Sequence, residues 1–127
     1  MAMANIRILA VDDNSVGLKL IVALFRNEPS FEVVTCDTGK EVLSRLNSGE
    51  KFDVLLADWM MPEMSGYQLV CLVRANVHFS NLRIMMLTAK TEMEDVQQAL
   101  SAGADEYLMK PFTKEMLLKK LALLGFS

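Results

Sequence analysis

Five short apolar runs alternate with segments of helical period, and this alternation restricts the fold more than any other feature of the chain. The runs are Ile6-Arg7-Ile8-Leu9-Ala10-Val11, Phe31-Glu32-Val33-Val34-Thr35-Cys36, Phe52-Asp53-Val54-Leu55-Leu56-Ala57, Arg83-Ile84-Met85-Met86-Leu87 and Tyr107-Leu108-Met109. Their length and content read as strands. Strands separated by helices run parallel, because each return crossover is helical and right-handed. The pattern therefore predicts an α/β fold, a doubly wound (βα)5 unit with a five-stranded parallel sheet. The first, third and fourth runs are almost continuously apolar, as expected of strands covered on both faces. The second carries Glu32 and suits an edge.

The helices are marked by caps and stops. Ser15 is placed to cap a first helix whose apolar positions are Leu20, Ile21, Leu24 and Phe25, and Pro29 to stop it. Thr38-Gly39-Lys40-Glu41 reads as a capping box before Val42, Leu43 and Leu46. Asn47-Ser48-Gly49 ends that helix, and Ser65-Gly66-Tyr67-Gln68 opens the next, over about 66–76. Thr91-Glu92-Met93-Glu94 is a second box, with Met93, Val96 and Leu100 expected to face inward. Gly103 is expected to close that helix in the left-handed conformation. A last helix starts at Thr113 and carries Met116, Leu117, Leu121 and Leu124.

With 127 residues the chain has the size of one domain, and 52% hydrophobic with 23% charged residues suits a folded globule. No apolar run approaches the ~20 residues that span a bilayer, and no signal peptide is visible. The net charge of −3 gives no electrostatic reason for nucleic-acid binding. Cys36 and Cys71 lack metal-site spacing and read as reduced, buried thiols of a cytoplasmic protein. His78 reads as a surface residue.

Four of the runs end in residues that chemistry can use: Asp12-Asp13, Asp58, Thr88 and Lys110. Parallel strands put these ends on one edge, where open α/β sheets bind ligands. Asp12, Asp13 and Asp58 taken singly suit caps or turns, but together they repel one another unless a cation compensates. Mg²⁺ fits such a set, since it takes one or two carboxylates and retains waters. Lys110, directly at a strand end before Pro111, needs a nearby anion or must extend into solvent.

At these residues the chain resembles a known family. Asp12-Asp13, Asp58-Trp59-Met60-Met61-Pro62, Gly66, Leu87-Thr88-Ala89, Gly103-Ala104 and Lys110-Pro111-Phe112 match, in order and spacing, the receiver domain of two-component response regulators. The likeness covers the whole chain, residues 1–127, as a single receiver domain. It implies a flavodoxin-like sheet of order 2-1-3-4-5, an order for which the chemotaxis regulator is an established example.

The resemblance implies roles residue by residue. Asp58 is the phosphoacceptor, taking a phosphoryl group from a phosphohistidine of a sensor kinase or histidine phosphotransfer protein. Asp13, Asp58 and the Met60 backbone carbonyl hold Mg²⁺, for which Mn²⁺ can substitute, and Asp12 holds a metal-bound water. Thr88 and Lys110 each contact a phosphoryl oxygen. Tyr107 is the switch aromatic that turns inward as Thr88 moves. The Lys110-Pro111 bond is cis. The output surface is helix 4, strand 5 and helix 5, acidic at Glu92 and Glu94, basic at Lys114, Lys119 and Lys120, and its protein partner is unidentified. Met60 and Lys90 occupy the positions that tune hydrolysis. Neither is an acid or amide able to orient an attacking water, so a long-lived phosphorylated form is expected.

Rival readings differ in class. A Mg²⁺-dependent phosphohydrolase with Asp58 as nucleophile wants a second acid where Met60 stands, and a cap domain. A degenerate interaction module wants a missing acid or lysine, and none is missing. The chain reads as a signalling switch rather than an enzyme in its own right. Leu124-Gly125-Phe126-Ser127 ends it without a linker, which suits a single-domain regulator; a receiver excised from a DNA-binding regulator or a hybrid kinase would read the same way.

Overall fold

The computed structural model describes residues 6–89 and 93–127. Strands β1 (Ile6–Val11), β2 (Phe31–Cys36), β3 (Val54–Asp58), β4 (Arg83–Thr88) and β5 (Glu106–Met109) form one sheet. Helices α1 (Ser15–Leu24), α2 (Gly39–Asn47), α3 (Gly66–Arg74), α4 (Met93–Ala102) and α5 (Lys114–Leu123) connect them, with a short 3₁₀ turn at Val77–Phe79. All pairings are parallel, and the order is β2-β1-β3-β4-β5, as expected. The chain turns back between β1 and β3, so a crevice opens there at the carboxyl edge.

The two faces are covered by separate cores. On one, Val42 and Leu46 of α2, Leu69, Val70 and Val73 of α3 and Ala99 of α4 pack on Leu9, Val11, Leu55 and Met86. On the other, Ile21, Phe25, Leu117 and Leu121 pack on Ile8, Ala10, Leu56 and Met85. Burial on both sides is why β1, β3 and β4 read as unbroken apolar runs.

Several local expectations are corrected. The first helix is capped by Asn14, whose side chain accepts from the Val16 N–H, and Ser15 is its first residue. That helix ends at Leu24, ahead of Pro29. Leu20 is 61% exposed, because Ile21 and Phe25 take the inner face. Thr38 caps α2 as expected, but Glu41 accepts from the Asp37 N–H, one residue before the cap. The Ser65–Gln68 box is complete, and α3 stops at Arg74.

The inward stripe expected on α4 is out of phase. Met93 is 69% and Leu100 46% exposed, while Ala99 is buried and Val96 half-buried. A small residue at the contact lets α4 lie close to α3, and the large side chains turn outward. The box residues Thr91 and Glu92 lie outside the described residues. Gly103 has φ +116, with the Ala104 N–H donating to Ala99 and the Gly103 N–H to Leu100, the paired bonds of a Schellman ending. Cys36 is buried as expected, but Cys71 is exposed, because Leu69, Val70 and Val73 fill the inner face of α3.

Candidate functional site

Register assembles the site. Val11 pairs with Ala57, which brings Asp12 level with Asp58 on the neighbouring strand. Asp58 pairs with Leu87, and Thr88 with Met109. Each polar residue therefore lies at, or one step past, the end of its strand. The Lys110 N–H donates to the Thr88 carbonyl at 2.9 Å, extending the ladder by one bond. The Lys110-Pro111 peptide is cis, as the resemblance implied.

Asp12, Asp13 and Asp58 each offer a carboxylate oxygen within 4.8 Å of the other two. Asp12 and Asp58 are buried and Asp13 is exposed. Asp12 is fixed from several sides. Its N–H donates to the Cys36 carbonyl at 3.2 Å, and its Oδ1 accepts from the Asn14 N–H at 2.9 Å. Gly17 presses on its carboxylate so closely that a Cβ there would overlap Oδ2. The Lys110 ammonium stands 2.9 Å from Asp58 Oδ1 and 3.5 Å from Asp12 Oδ2.

Opposing forces act on these charges. Burial raises the Asp58 pKa above the ordinary carboxylate range; Lys110 pulls it down, Asp12 and Asp13 push it up, and the net shift is upward. Burial lowers Lys110, but its hydrogen bond and charge contact with Asp58, joined by Asp12, leave it raised. Three carboxylates against one ammonium make an oxygen-rich, negatively charged site among the described residues. That donor set fits a hard divalent cation.

Around it, Thr88 is fully buried and Tyr107 is buried behind it. Burial and then the Asp95 charge push the Tyr107 phenol up, against a smaller downward pull from the neighbouring Thr88 hydroxyl. The Met60 side chain is 64% exposed. Trp59 is buried and stacks on Tyr67, centroids 5.8 Å apart. Lys90 lies outside the described residues, as does Glu92.

The α4–β5–α5 face differs from its expected charge layout. Lys114 pairs with Glu28 at 2.9 Å and Lys120 with Glu106 at 2.9 Å, so its basic end is partly neutralised. Met93, Leu100, Met109 and Met116 stand exposed across it.

Two features escaped the sequence reading. Gly17 sits inside a helix, where glycine costs about 1 kcal/mol relative to alanine and usually has a packing reason; the reason here is Asp12. The other is Arg74, which donates to the Gly103 carbonyl at 2.8 Å, the Phe79 carbonyl at 3.0 Å and Asp105 Oδ2 at 2.8 Å. No local motif marks it.

Residues 8–122 match the family model described as the response regulator receiver domain. The chain belongs to this family. It is 36% identical over 115 residues to the chemotaxis protein CheY of Pseudomonas aeruginosa, covering 91% of this chain and 92% of that one. It is 35% identical over 117 residues to CheY-3 of Vibrio cholerae, covering 92% and 89%. Among solved structures, CheY4 of Vibrio cholerae superposes with a TM-score of 0.85 at 35% identity, covering 96% and 98%. The receiver domain of a Pseudomonas aeruginosa sensor histidine kinase superposes at 0.83 with 29% identity, covering 96% and 99%, and that structure holds a magnesium ion in its active-site cleft. Receivers of this family are signalling modules of two-component systems. No helix among the described residues is long and apolar enough to cross a membrane.

Proposed function

We propose that residues 1–127 act as one cytoplasmic receiver domain that takes a phosphoryl group onto Asp58 from a phosphohistidine of a sensor kinase or phosphotransfer protein. An Asp58 carboxylate oxygen attacks phosphorus as the phosphorus–nitrogen bond breaks, and the electron pair leaves with the imidazole, which takes up a proton. Such a transfer is mostly positioning and charge neutralisation. The observation that supports this reading is the convergence of Asp12, Asp13 and Asp58 within 4.8 Å, with Lys110 2.9 Å from Asp58.

Asp13, Asp58 and the Met60 carbonyl would hold Mg²⁺ or Mn²⁺, and Asp12 would orient a water on it. The bound ion would offset the repulsion among the carboxylates and the charge of the incoming phosphoryl group. Lys110 stands ready to exchange its contact with the Asp58 carboxylate for one with a phosphoryl oxygen. The Thr88 hydroxyl meets another. Moving Thr88 alters its influence on Tyr107, which carries the change to the α4–β5–α5 face and an unidentified protein partner. Met60 offers only an exposed thioether, a weak acceptor, which supports slow hydrolysis of the acyl phosphate; Lys90 would act at the companion tuning position.

Trp59 adjoins Asp58 and supplies the test. Its fluorescence is expected to respond to Mg²⁺ and then to a small acyl phosphate donor. A donor response that survives Asp58→Asn overturns the assignment. A phosphoryl half-life of seconds, or one that Met60→Asn leaves unchanged, overturns the slow-hydrolysis reading alone.

A further inference from the structure

An apolar cavity of about 490 Å³ opens beside the acid cluster, between α1 and the segment leading into α5. Leu18, Ile21 and Leu24 of α1, Leu56 and Leu87 of the sheet, and Phe112 form its walls. Asp12, Asp58 and Lys110 border it at the carboxyl edge. Leu20 lines it too while remaining 61% exposed, so the space opens along the flank of α1.

The space is a half-open groove: Ala10, Leu56 and Leu87 at its floor are almost fully buried, and its volume lies mostly along the open flank of α1. A space of this size, with apolar walls and a few convergent polar groups, has the form of a small-molecule site. Charge selects among occupants. The lining residues set two carboxylates against one ammonium, and the Asp13 carboxylate stands within 4.8 Å of both acids, so negative charge is in excess. A cation offsets that excess, whereas an anionic head group would face the carboxylates.

We propose that this cavity binds a small amphipathic organic cation, an alkyl- or arylammonium whose apolar body lies between α1 and Phe112 and whose ammonium faces Asp12 and Asp58. Such a ligand contends with Mg²⁺ for the same carboxylates and so opposes loading of the site from beside it.

The test uses alkylamines protonated at neutral pH, titrated into the full chain without Mg²⁺ and followed by amide NMR. Affinity is expected to rise about fourfold per methylene from butylamine to octylamine, with shifts at Leu18, Ile21 and Phe112. Octan-1-ol and octanoate are expected to bind at least tenfold more weakly than octylamine. Leu24→Trp, which fills the space, is expected to abolish binding, and Leu20→Trp, at an exposed position, to weaken it in a chain that keeps its core. No binding, equal binding of the alcohol, tighter binding of octanoate, or indifference to both tryptophans overturns the proposal. Self-association that Leu20→Trp abolishes, with no amine binding, would give the surface to a second copy of the chain and overturn it too. Only the competition with Mg²⁺ rests on the metal reading. Titrating Mg²⁺ alone separates a failure of that reading from a failure of the cavity.

Discussion

Gly66 lies directly against the backbone of Asp58: a Cβ at residue 66 would overlap the Asp58 carbonyl oxygen and stand 3.0 Å from the Trp59 Cα. The first turn of α3 is thus seated on the end of the strand that carries the candidate nucleophile, and the Gly66 N–H donates to the Trp59 carbonyl at 2.9 Å. Gly66→Ala gains helix propensity of about 1 kcal/mol but must displace backbone, and overpacking costs about 1–3 kcal/mol. Urea denaturation is expected to show net destabilisation, with weaker Mg²⁺ binding. Gly39→Ala is the control, since its near neighbour is the flexible Met64 sulfur; it is expected to be neutral or stabilising.

Asp58 makes stability fall with rising pH. Its folded pKa is raised, so the native state holds the proton more tightly than the unfolded chain. Its unfavourable contribution is absent below the unfolded pKa and complete once pH has risen through the folded one. In the absence of divalent cations Asp58→Asn is expected to stabilise the protein at neutral pH. That gain should vanish as pH drops below the ordinary carboxylate range. A thermal melt series across acid pH checks both ends, and a gain that persists at low pH would contradict it.

Divalent cations should reverse that balance. A ligand bound only by the native state at a hundred times its Kd stabilises by about 2.7 kcal/mol. Mg²⁺ is expected to raise the Tm of the wild type, and removal by chelation to restore the original value. Asp13→Asn, at the exposed member of the cluster, should remove most of the effect with little cost to the metal-free protein.

Arg74 ties three segments together at the opposite edge from the acids. It reaches the Gly103 and Phe79 carbonyls and Asp105, while Asp105 Oδ2 also accepts from the Ile84 N–H at 2.9 Å. Arg74→Ala loses charge-assisted bonds worth about 1.5–3 kcal/mol each where partners stay unsatisfied. A loss of about 2–3 kcal/mol in chemical denaturation is expected. Arg74→Met, which keeps the stem packed on Gly103, should lose less.

What could be read in advance follows from how local each signal is. Strand ends are local, so Asp12, Asp58, Thr88 and Lys110 were legible as one edge once parallel pairing was inferred. Asn14 and Ser15 are both good caps, and only backbone conformation decides between them: Asn14 is extended, with φ −91 and ψ 113. Helix phase was less legible where small residues make the contact. Periodicity counts Met93 and Leu100 as core, whereas Ala99 is the side chain that lets α4 approach. Arg74 was illegible because its partners lie 5, 29 and 31 residues away. The cavity beside the acids arises between α1 and Phe112, elements far apart in sequence.

The seating of α4 on a single fully buried side chain has an energetic consequence. α3 anchors itself with Leu69, Val70 and Val73, but α4 commits only Ala99 to the deep interior. Detaching it uncovers little apolar surface, so its amides should exchange with solvent through local opening, well below the free energy of global unfolding. A helix held this lightly can be repositioned by a small change in charge nearby, and the rest of the molecule need not melt to let it move.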